Sequence, residues 1–238
     1  MTGKPPSDAC TGNIGDNLLV RVASSFVLAA AAIGAAWRGG AVFAIFWGAA
    51  ALVVAWEWMM LVARAENRAR WLAAGALYAA LTAVAPLMLR ADAVHGLAAI
   101  LFLFAIVWAT DVMGYVVGRA IGGPKLWPAI SPNKTWSGAL GGTIGALAAG
   151  LAVAAAASLA LLPIAILAVI LSMVAQAGDF IESAVKRRFG VKDASHLIPG
   201  HGGVMDRLDS FIAAALVAIV IGVVRGGPHA AAQGLLIW

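Results

Sequence analysis

The feature of this sequence that most limits its fold is a succession of long apolar stretches. A helix needs about 20 mostly apolar residues to cross a membrane. Seven segments reach roughly that length: 18–37, 41–62, 71–89, 96–118, 138–160, 163–185 and 207–225. Only 11% of all residues are charged, whereas a soluble domain carries roughly 25%. A water-soluble globule and a disordered chain are therefore both excluded.

The apolar segments predict helices rather than barrel strands, because they show no alternation of period two. Helices also satisfy every backbone group inside the bilayer. We therefore predict an all-α, polytopic integral membrane helix bundle with about seven transmembrane helices. Residues 1–17 are predicted to be a disordered cytoplasmic tail, and 18–238 a single membrane domain. No apolar core follows a basic start in this tail, so a cleaved signal peptide is not expected.

The basic residues predict the orientation of the bundle. With these spans, all but three of the 16 Lys and Arg residues fall on the side of the N-terminus, the exceptions being Arg38, Arg90 and Arg225. The positive-inside rule makes that side cytoplasmic and leaves the C-terminus outside. The single Cys10 excludes an intrachain disulfide and a cysteine zinc site. The net charge of +5 is small and does not indicate nucleic-acid binding.

Ionisable side chains concentrate in residues 179–209. Asp179, Glu182 and Lys186 are spaced i, i+3 and i+7, so they share one helix face. Asp206 and Asp209 begin the last span, also three residues apart. Two helix ends can thus direct several carboxylates to one point. A solvated cytoplasmic loop would explain the neighbouring Lys and Arg, but it does not explain the acids as well.

This combination of residue types indicates a chemistry. Paired carboxylates with few His or Cys ligands suit a hard cation such as Mg²⁺. The adjacent Lys and Arg side chains suit phosphate. Together they indicate phosphoryl or nucleotidyl transfer, in which catalysis consists mainly of positioning and charge neutralisation.

Two loops next to these spans offer further ligands for an anion. Between spans six and seven, Gly202 and Gly203 would let backbone N–H groups approach a ligand, and His201 is expected to donate a hydrogen bond. Before span five, Ser131, Lys134 and Thr135 stand at a helix N-terminus, a favourable place for a phosphate. A plain Ser/Thr helix cap explains the second group equally well.

Three further features lie inside the spans. Asp111 is late in span four, where an ionisable residue is usually functional. Glu57 is either solvated at the membrane interface or directed to the same site. Glycines at four-residue spacing predict close helix contacts; they are Gly114, Gly118 and Gly122 in one span and Gly138 and Gly142 in the next.

The polar segments resemble the signature of phosphatidate cytidylyltransferases, also called CDP-diacylglycerol synthases. Residues 183–209 match S-x2-K-R-x4-K-D followed by H-G-G-x2-D-R-x-D, and residues 178–183 match G-D-x2-E-S. Residues 131–136 resemble S-P-x-K-T-W, and 111–119 resemble D-x3-Y-x2-G-R. These motifs place a catalytic half at about 111–210. Ser137 departs from the family, which often has Glu after Thr-Trp.

The resemblance implies that the chain transfers a cytidylyl group from CTP to phosphatidic acid, giving CDP-diacylglycerol and pyrophosphate. It implies Mg²⁺ as cofactor, with room for a second cation. The metal ligands would be Asp179, Asp206, Asp209, Asp111 and Glu182, and the catalytic residues Asp179, Asp206, Lys186 and Asp209. Substrate would be bound by Ser131, Lys134, Thr135, Arg187, Lys192, His201, Gly202, Gly203 and Arg207. We expect a bacterial inner-membrane protein in contact with membrane lipids, with its site facing the cytoplasm. A homodimer is compatible with this expectation.

Other classes of membrane protein remain alternatives. A CDP-alcohol phosphatidyltransferase would carry D-G-x2-A-R-x8-G-x3-D-x3-D, which we do not find. A polyprenyl-phosphate transferase would also use intramembrane acids. An ion-coupled transporter would bind its ion with Asp111 and Asp179, but transporter sites usually lie near the midplane, whereas these acids gather at one face.

Overall fold

The structure, a computed structural model, describes residues 14–198 and 202–238. The helices of this part are α1 (Ile14–Arg38), α2 (Gly40–Leu61), α3 (Arg68–Arg90), α4 (Gly96–Ile121), α5 (Trp136–Ala156), α6 (Leu161–Arg188), α7 (Met205–Gly226) and α8 (Ala231–Leu236). Two short strands, β1 (Lys125–Trp127) and β2 (Ser131–Thr135), pair antiparallel between α4 and α5. Most of the predicted tail, with Cys10, lies outside the described residues.

The prediction of a polytopic helix bundle is confirmed. Helices α2 to α7 are each long and apolar enough to span a membrane, and a shorter apolar stretch, Val22–Arg38, lies within α1. Each predicted span corresponds to one helix, with ends that differ by a few residues. The β hairpin was not predicted, and it lies directly beside the polar end of the bundle.

Glycine turns redirect the chain at the end of α4. Gly122 has φ of +66° and Gly123 has φ of +100°, a backbone region that favours glycine. The chain leaves the helix there and enters β1. The Ser137 hydroxyl donates to the Gly122 carbonyl, so the start of α5 is tied to this turn. The expectation that Gly122 packs against a helix is therefore wrong, because no atom would contact a Cβ at that position.

Helices α4 and α5 approach each other so closely that only glycine fits at several of their contact positions. A Cβ on Gly138 would lie 2.7 Å from the carbonyl oxygen of Gly114, and one on Gly142 would lie 2.7 Å from that of Thr110. A Cβ on Gly118 would lie 3.0 Å from the Thr135 hydroxyl. The predicted close contact of these four glycines is confirmed. It brings the polar ends of α4 and α5 side by side.

The C-terminal helix α8 folds back against α7 at the opposite end of the bundle. A Cβ on Gly234 would lie 2.2 Å from the Gly222 carbonyl oxygen, so the two backbones touch. The Asp92 carboxylate accepts a hydrogen bond from Gln233 N at 3.1 Å, which ties α8 to the loop between α3 and α4. Desolvation raises the pKa of Asp92, but hydrogen bonds from the N–H groups of His95, Val94 and Gln233 lower it by more. The pKa therefore lies below its ordinary value.

Candidate active site

The polar ends of four helices enclose a pocket of about 730 Å³. Its walls are the last turns of α4 and α6, the first turns of α5 and α7, and the β hairpin. Its charged lining residues are Asp111, Arg119, Lys125, Lys134, Asp179, Lys186, Asp193, Asp206, Arg207 and Asp209. Residues from distant parts of the sequence therefore meet in one charged site.

The structure brings most of the predicted site together. The predicted residues that line the pocket are Asp111, Lys134, Thr135, Asp179, Lys186, Asp206, Arg207 and Asp209. Tyr115, Gly118 and Arg119, from the motif in α4, line it as well. Thr135 also acts as the helix cap of α5, because its hydroxyl accepts from Gly138 N at 3.1 Å. The cap interpretation of that loop is thus confirmed.

An ion pair joins the hairpin to α6. The ammonium of Lys134 donates to Asp179 Oδ2 and lies 4.2 Å from the centre of the Phe180 ring. Asp179 Oδ1 accepts from the Ser183 hydroxyl at 3.3 Å. The side chains of Lys134 and Asp179 are both about 30% exposed, at 29% and 30%. Each remains accessible to a ligand in the pocket.

Asp206 is held by three donors at the start of α7. Its Oδ1 accepts from the ammonium of Lys186 at 2.5 Å. Its Oδ2 accepts from the backbone N–H groups of Ala194 at 2.9 Å and Gly203 at 2.8 Å. Asp206 therefore joins α6, the loop after α6 and the start of α7. Both of its carboxylate oxygens are engaged.

Lys186 also contacts a second acid. Its ammonium lies 3.4 Å from Glu182 Oε1, one turn earlier on α6. Both side chains are buried. Glu182 stands behind Lys186 and does not line the pocket, and its carboxyl group lies against that of Asp209. Lys186 is thus placed between the two acids Glu182 and Asp206.

Glu57 lies beneath the site rather than at a solvated interface. Its side chain is fully buried. Its Oε1 accepts from the Ser195 hydroxyl at 2.6 Å and from Val204 N at 2.9 Å, and its Oε2 accepts from Met205 N at 2.7 Å. Neither interpretation of Glu57 is therefore right: it is not solvated, and it does not line the pocket but binds the start of α7 behind it.

The glycine loop differs from its predicted role. The N–H of Gly203 donates to Asp206, so it is not free to bind a phosphate. Gly202 has φ of +83°, and its carbonyl accepts from Ile198 N at 2.8 Å. The predicted donor His201 lies outside the described residues.

Besides Gly202 and Gly203, three further predicted substrate residues lie outside the pocket lining. The Arg187 guanidinium donates to the backbone carbonyls of Ile130 at 3.3 Å and Val191 at 3.0 Å. Lys192 is exposed, and Ser131 pairs with Trp127 across the hairpin. Arg187 thus holds the loops around the pocket in place, and a direct substrate contact by these three residues stays a prediction.

The pocket carries carboxylates that no cation neutralises. Asp111 is exposed in the pocket, and within residues 14–198 and 202–238 neither it nor Asp209 forms an ion pair with Lys or Arg. No three acidic, His or Cys side chains in those ranges already form a metal cluster. The carboxylates of Asp111 and Asp209 are hard oxygen ligands in the pocket, which fit Mg²⁺ chemically.

Sequence analysis did not single out several lining residues: Lys125, Asn133, Gln176 and Asp193. Gln176 lies three residues before Asp179, so helical spacing alone places it on the same face. Asp193 and Asn133 lie inside the quoted motifs without an assigned role. Lys125 belongs to the hairpin, which the sequence pattern did not indicate.

Fold and site together define the class: a polytopic membrane protein with a charged pocket at one end of its helix bundle. Residues 75–224 match the family described as the cytidylyltransferase family. The chain belongs to this family, and the resemblance seen in residues 111–210 is confirmed.

Individual relatives carry a more specific name. A phosphatidate cytidylyltransferase of Brucella abortus is 48% identical over 174 residues, which are 71% of this chain and 63% of that protein. A phosphatidate cytidylyltransferase of Staphylococcus saprophyticus is 50% identical over 120 residues, 50% of this chain and 46% of that protein. The matched region thus spans less than two thirds of the length of these relatives.

Proposed function

We propose that this protein transfers a cytidylyl group from CTP to phosphatidic acid, giving CDP-diacylglycerol and pyrophosphate. The observation that carries the proposal is the pocket itself. It joins acids and bases from the four motif segments at the ends of membrane-spanning helices, where an aqueous nucleotide and a lipid head group can meet. The family membership and the names of the relatives support the same reaction.

The proposed reaction needs little acid–base catalysis. A phosphate monoester has a second pKa of about 6, so the phosphate of phosphatidic acid is largely ionised at neutral pH. One of its oxygens forms a bond to the α-phosphorus of CTP, and the bond from that phosphorus to pyrophosphate breaks. The main obstacle is repulsion between two polyanions. Catalysis then depends on positive charge and positioning.

Three cations of the pocket are available for phosphate. Arg119, Lys125 and Arg207 line it, are exposed and form no ion pair with an acid in the described part of the chain. Arg119 donates to the Tyr115 hydroxyl at 2.7 Å, a neutral partner. Lys134, by contrast, is paired with an acid. The three unpaired cations are therefore the first candidates to bind phosphate groups.

Asp111, Asp179 and Asp209 would hold Mg²⁺, because they line the pocket and present hard oxygen ligands. The cation, when bound, would lower the negative charge of the triphosphate and stabilise charge on the departing pyrophosphate. Asp206 would keep Lys186 directed at the substrates, and Glu182 would be a further ligand or support that ligand set. A second cation stays an expectation of the resemblance.

The α4 side of the pocket supports access from the bilayer. Tyr115 lines the pocket and is 65% exposed, and next to it on the same helix Val112 is 59% and Val116 49% exposed. This face belongs to a membrane-spanning helix. In our proposal the acyl chains lie along this apolar face, while the phosphate reaches Arg119. A homodimer is not needed to complete the pocket.

The test is turnover by the purified protein. We expect the full chain in detergent, given labelled CTP, phosphatidic acid and Mg²⁺, to release CDP-diacylglycerol and pyrophosphate in equal amounts. Asp179→Asn should abolish this, while Glu66→Gln, which changes an exposed acid outside the pocket, should not. Folded wild-type protein that forms no CDP-lipid would refute the proposal.

We also propose that the pocket faces the cytoplasm, because the basic loops lie at its end of the bundle. In a Cys10→Ser background, Asn67→Cys places a thiol in the α2–α3 loop at the pocket end, and Val94→Cys places one in the α3–α4 loop at the other end. Both positions are exposed. An impermeant maleimide should label only Val94→Cys in intact bacterial cells whose outer membrane has been permeabilised. Labelling of Asn67→Cys alone would show that the orientation is the opposite one, with the pocket facing away from the cytoplasm.

A further inference from the structure

We infer that Glu57 is a positioning residue of the active site: from α2, it fixes the start of α7 and, through it, Asp206. The kinetic consequences of this inference rest on the proposed function. The contacts of Glu57 do not depend on that function. Glu57 contributes no atom to the pocket lining. It stands 147 residues before Val204 in the sequence and joins two separate parts of the bundle.

The contacts of Glu57 are those of an ionised acceptor. All three of its partners, Ser195 Oγ, Val204 N and Met205 N, are donors. The carboxylate is fully buried and has no Lys or Arg partner in the described ranges. A buried charge without a counterion is costly. Here the N–H groups at the start of α7, which have no acceptor within the helix, and the positive end of the dipole of α7 take the place of the counterion.

Glu57 and Asp206 hold the same two chain segments. Asp206 binds Ala194 N in the loop after α6 and Gly203 N before α7. Glu57 binds the next residue of each segment, Ser195 in the loop and Val204 before α7. The two acids therefore fix one junction from two sides. The side of Glu57 faces the bundle, and the side of Asp206 faces the pocket.

This arrangement explains why residue 203 is a glycine. A Cβ on Gly203 would lie 2.5 Å from Glu57 Oε1, 2.9 Å from its Cδ and 2.9 Å from its Oε2. These are the atoms of a carboxylate held by three donors, so they cannot move aside without breaking hydrogen bonds. The second glycine of the H-G-G motif thus accommodates Glu57 rather than a substrate phosphate.

The test is a double-mutant cycle between Glu57→Asp and Gly203→Ala. Aspartate is shorter by one methylene, which withdraws the carboxylate by about 1.5 Å and makes room for the alanine methyl. We expect each single variant to lower kcat at least tenfold while the KM for CTP changes less than threefold. In the double variant kcat should recover at least fivefold over Gly203→Ala. Glu66→Asp, at an exposed acid, is the matched control and should leave both constants unchanged.

Thermal unfolding of the same four proteins in detergent tests the contact without turnover. The midpoint of the double variant should lie above that of Gly203→Ala. If the midpoint losses of the two single variants simply add up in the double variant, Glu57 and Gly203 do not interact and the inference is wrong. If Glu57→Asp and Glu57→Gln keep the wild-type kcat per folded molecule, Glu57 does not position the site, even if the unfolding midpoints of both variants fall. An inactive but folded wild type would refute the proposed function instead, and the unfolding cycle would still decide whether Glu57 holds this junction.

Discussion

Replacing Asp206 by Asn and by Ala should separate the structural from the chemical role of this side chain. In Asp206→Ala the N–H groups of Ala194 and Gly203 lose their acceptor, and Lys186 keeps only Glu182, at 3.4 Å. An unsatisfied buried donor costs about 1–3 kcal/mol, and breaking a buried ion pair costs about 3–5 kcal/mol. The two losses are not additive, because the same local rearrangement relieves both. We therefore expect Asp206→Ala to lower the free energy of unfolding by about 3–5 kcal/mol in total.

Asp206→Asn should cost less. The amide oxygen can still accept from the two backbone N–H groups, so this variant loses only the interaction with Lys186, which the alanine variant loses as well, and it avoids the cost of unsatisfied donors, about 1–3 kcal/mol. The two variants should thus differ by about 2 kcal/mol. For a chain of this size 1 kcal/mol shifts the unfolding midpoint by about 2–4 °C, so the alanine variant should unfold about 4–8 °C below the asparagine variant.

Activity should not follow this order. Both variants remove the charge that holds Lys186 at the pocket, so both should lose at least about 100-fold in CDP-lipid formation. Asp179→Asn is the matched control, because the hydrogen-bond partners of Asp179 within the described ranges are side chains, those of Lys134 and Ser183, and not backbone N–H groups. It should lose activity with a midpoint shift under about 2 °C. Equal midpoints for Asp206→Asn and Asp206→Ala, or wild-type turnover in Asp206→Asn, would refute the reasoning.

Three further predictions concern other parts of the molecule. Gly142→Ala should lower the unfolding midpoint by several degrees and reduce turnover, because its methyl group would meet the α4 backbone at 2.7 Å, whereas Gly48→Ala, which meets no atom, should not lower the midpoint. Asp92→Asn should lower the midpoint at pH 7. Because the pKa of Asp92 is lowered by folding, the difference in midpoint between wild type and Asp92→Asn should persist above about pH 4 and close as the pH falls through the folded-state pKa. A difference that stays constant down to about pH 2 would contradict this prediction. Arg207→Gln should raise the KM for CTP about tenfold or more, and Lys192→Gln, outside the pocket lining, less than threefold; the reverse order would show that the loop base binds the nucleotide.

The spans and the acidic helix ends were predictable because they depend on local patterns. Apolar length predicts a membrane helix, and i, i+3 spacing predicts that Asp206 and Asp209 share a face. The hairpin at 125–135 has short strands of mixed polarity, so it carries no such pattern. Gly122 shows that equal glycine spacing can mean either a helix contact or a left-handed turn, and only the backbone distinguishes them.

The role of Glu57 could not be predicted for a different reason. Its partner Met205 lies 148 residues away, and no periodicity within α2 indicates which distant segment a buried acid will meet. The same limit applies to the glycine loop. The sequence indicates that Gly203 permits a close approach, but only the tertiary structure shows that the approaching group is a carboxylate of the protein itself.

The glycine-to-backbone contact of α4 and α5 has a mechanical consequence. Where Gly138 and Gly142 meet the backbone of α4, the two helices cannot shift towards each other without a clash, so this wall of the pocket is rigid. Any change of shape that accompanies the arrival of a nucleotide must then occur on the other walls. The hairpin, which is joined to α6 by the ion pair of Lys134 and Asp179 rather than by packed backbone, is the wall that such a change can shift.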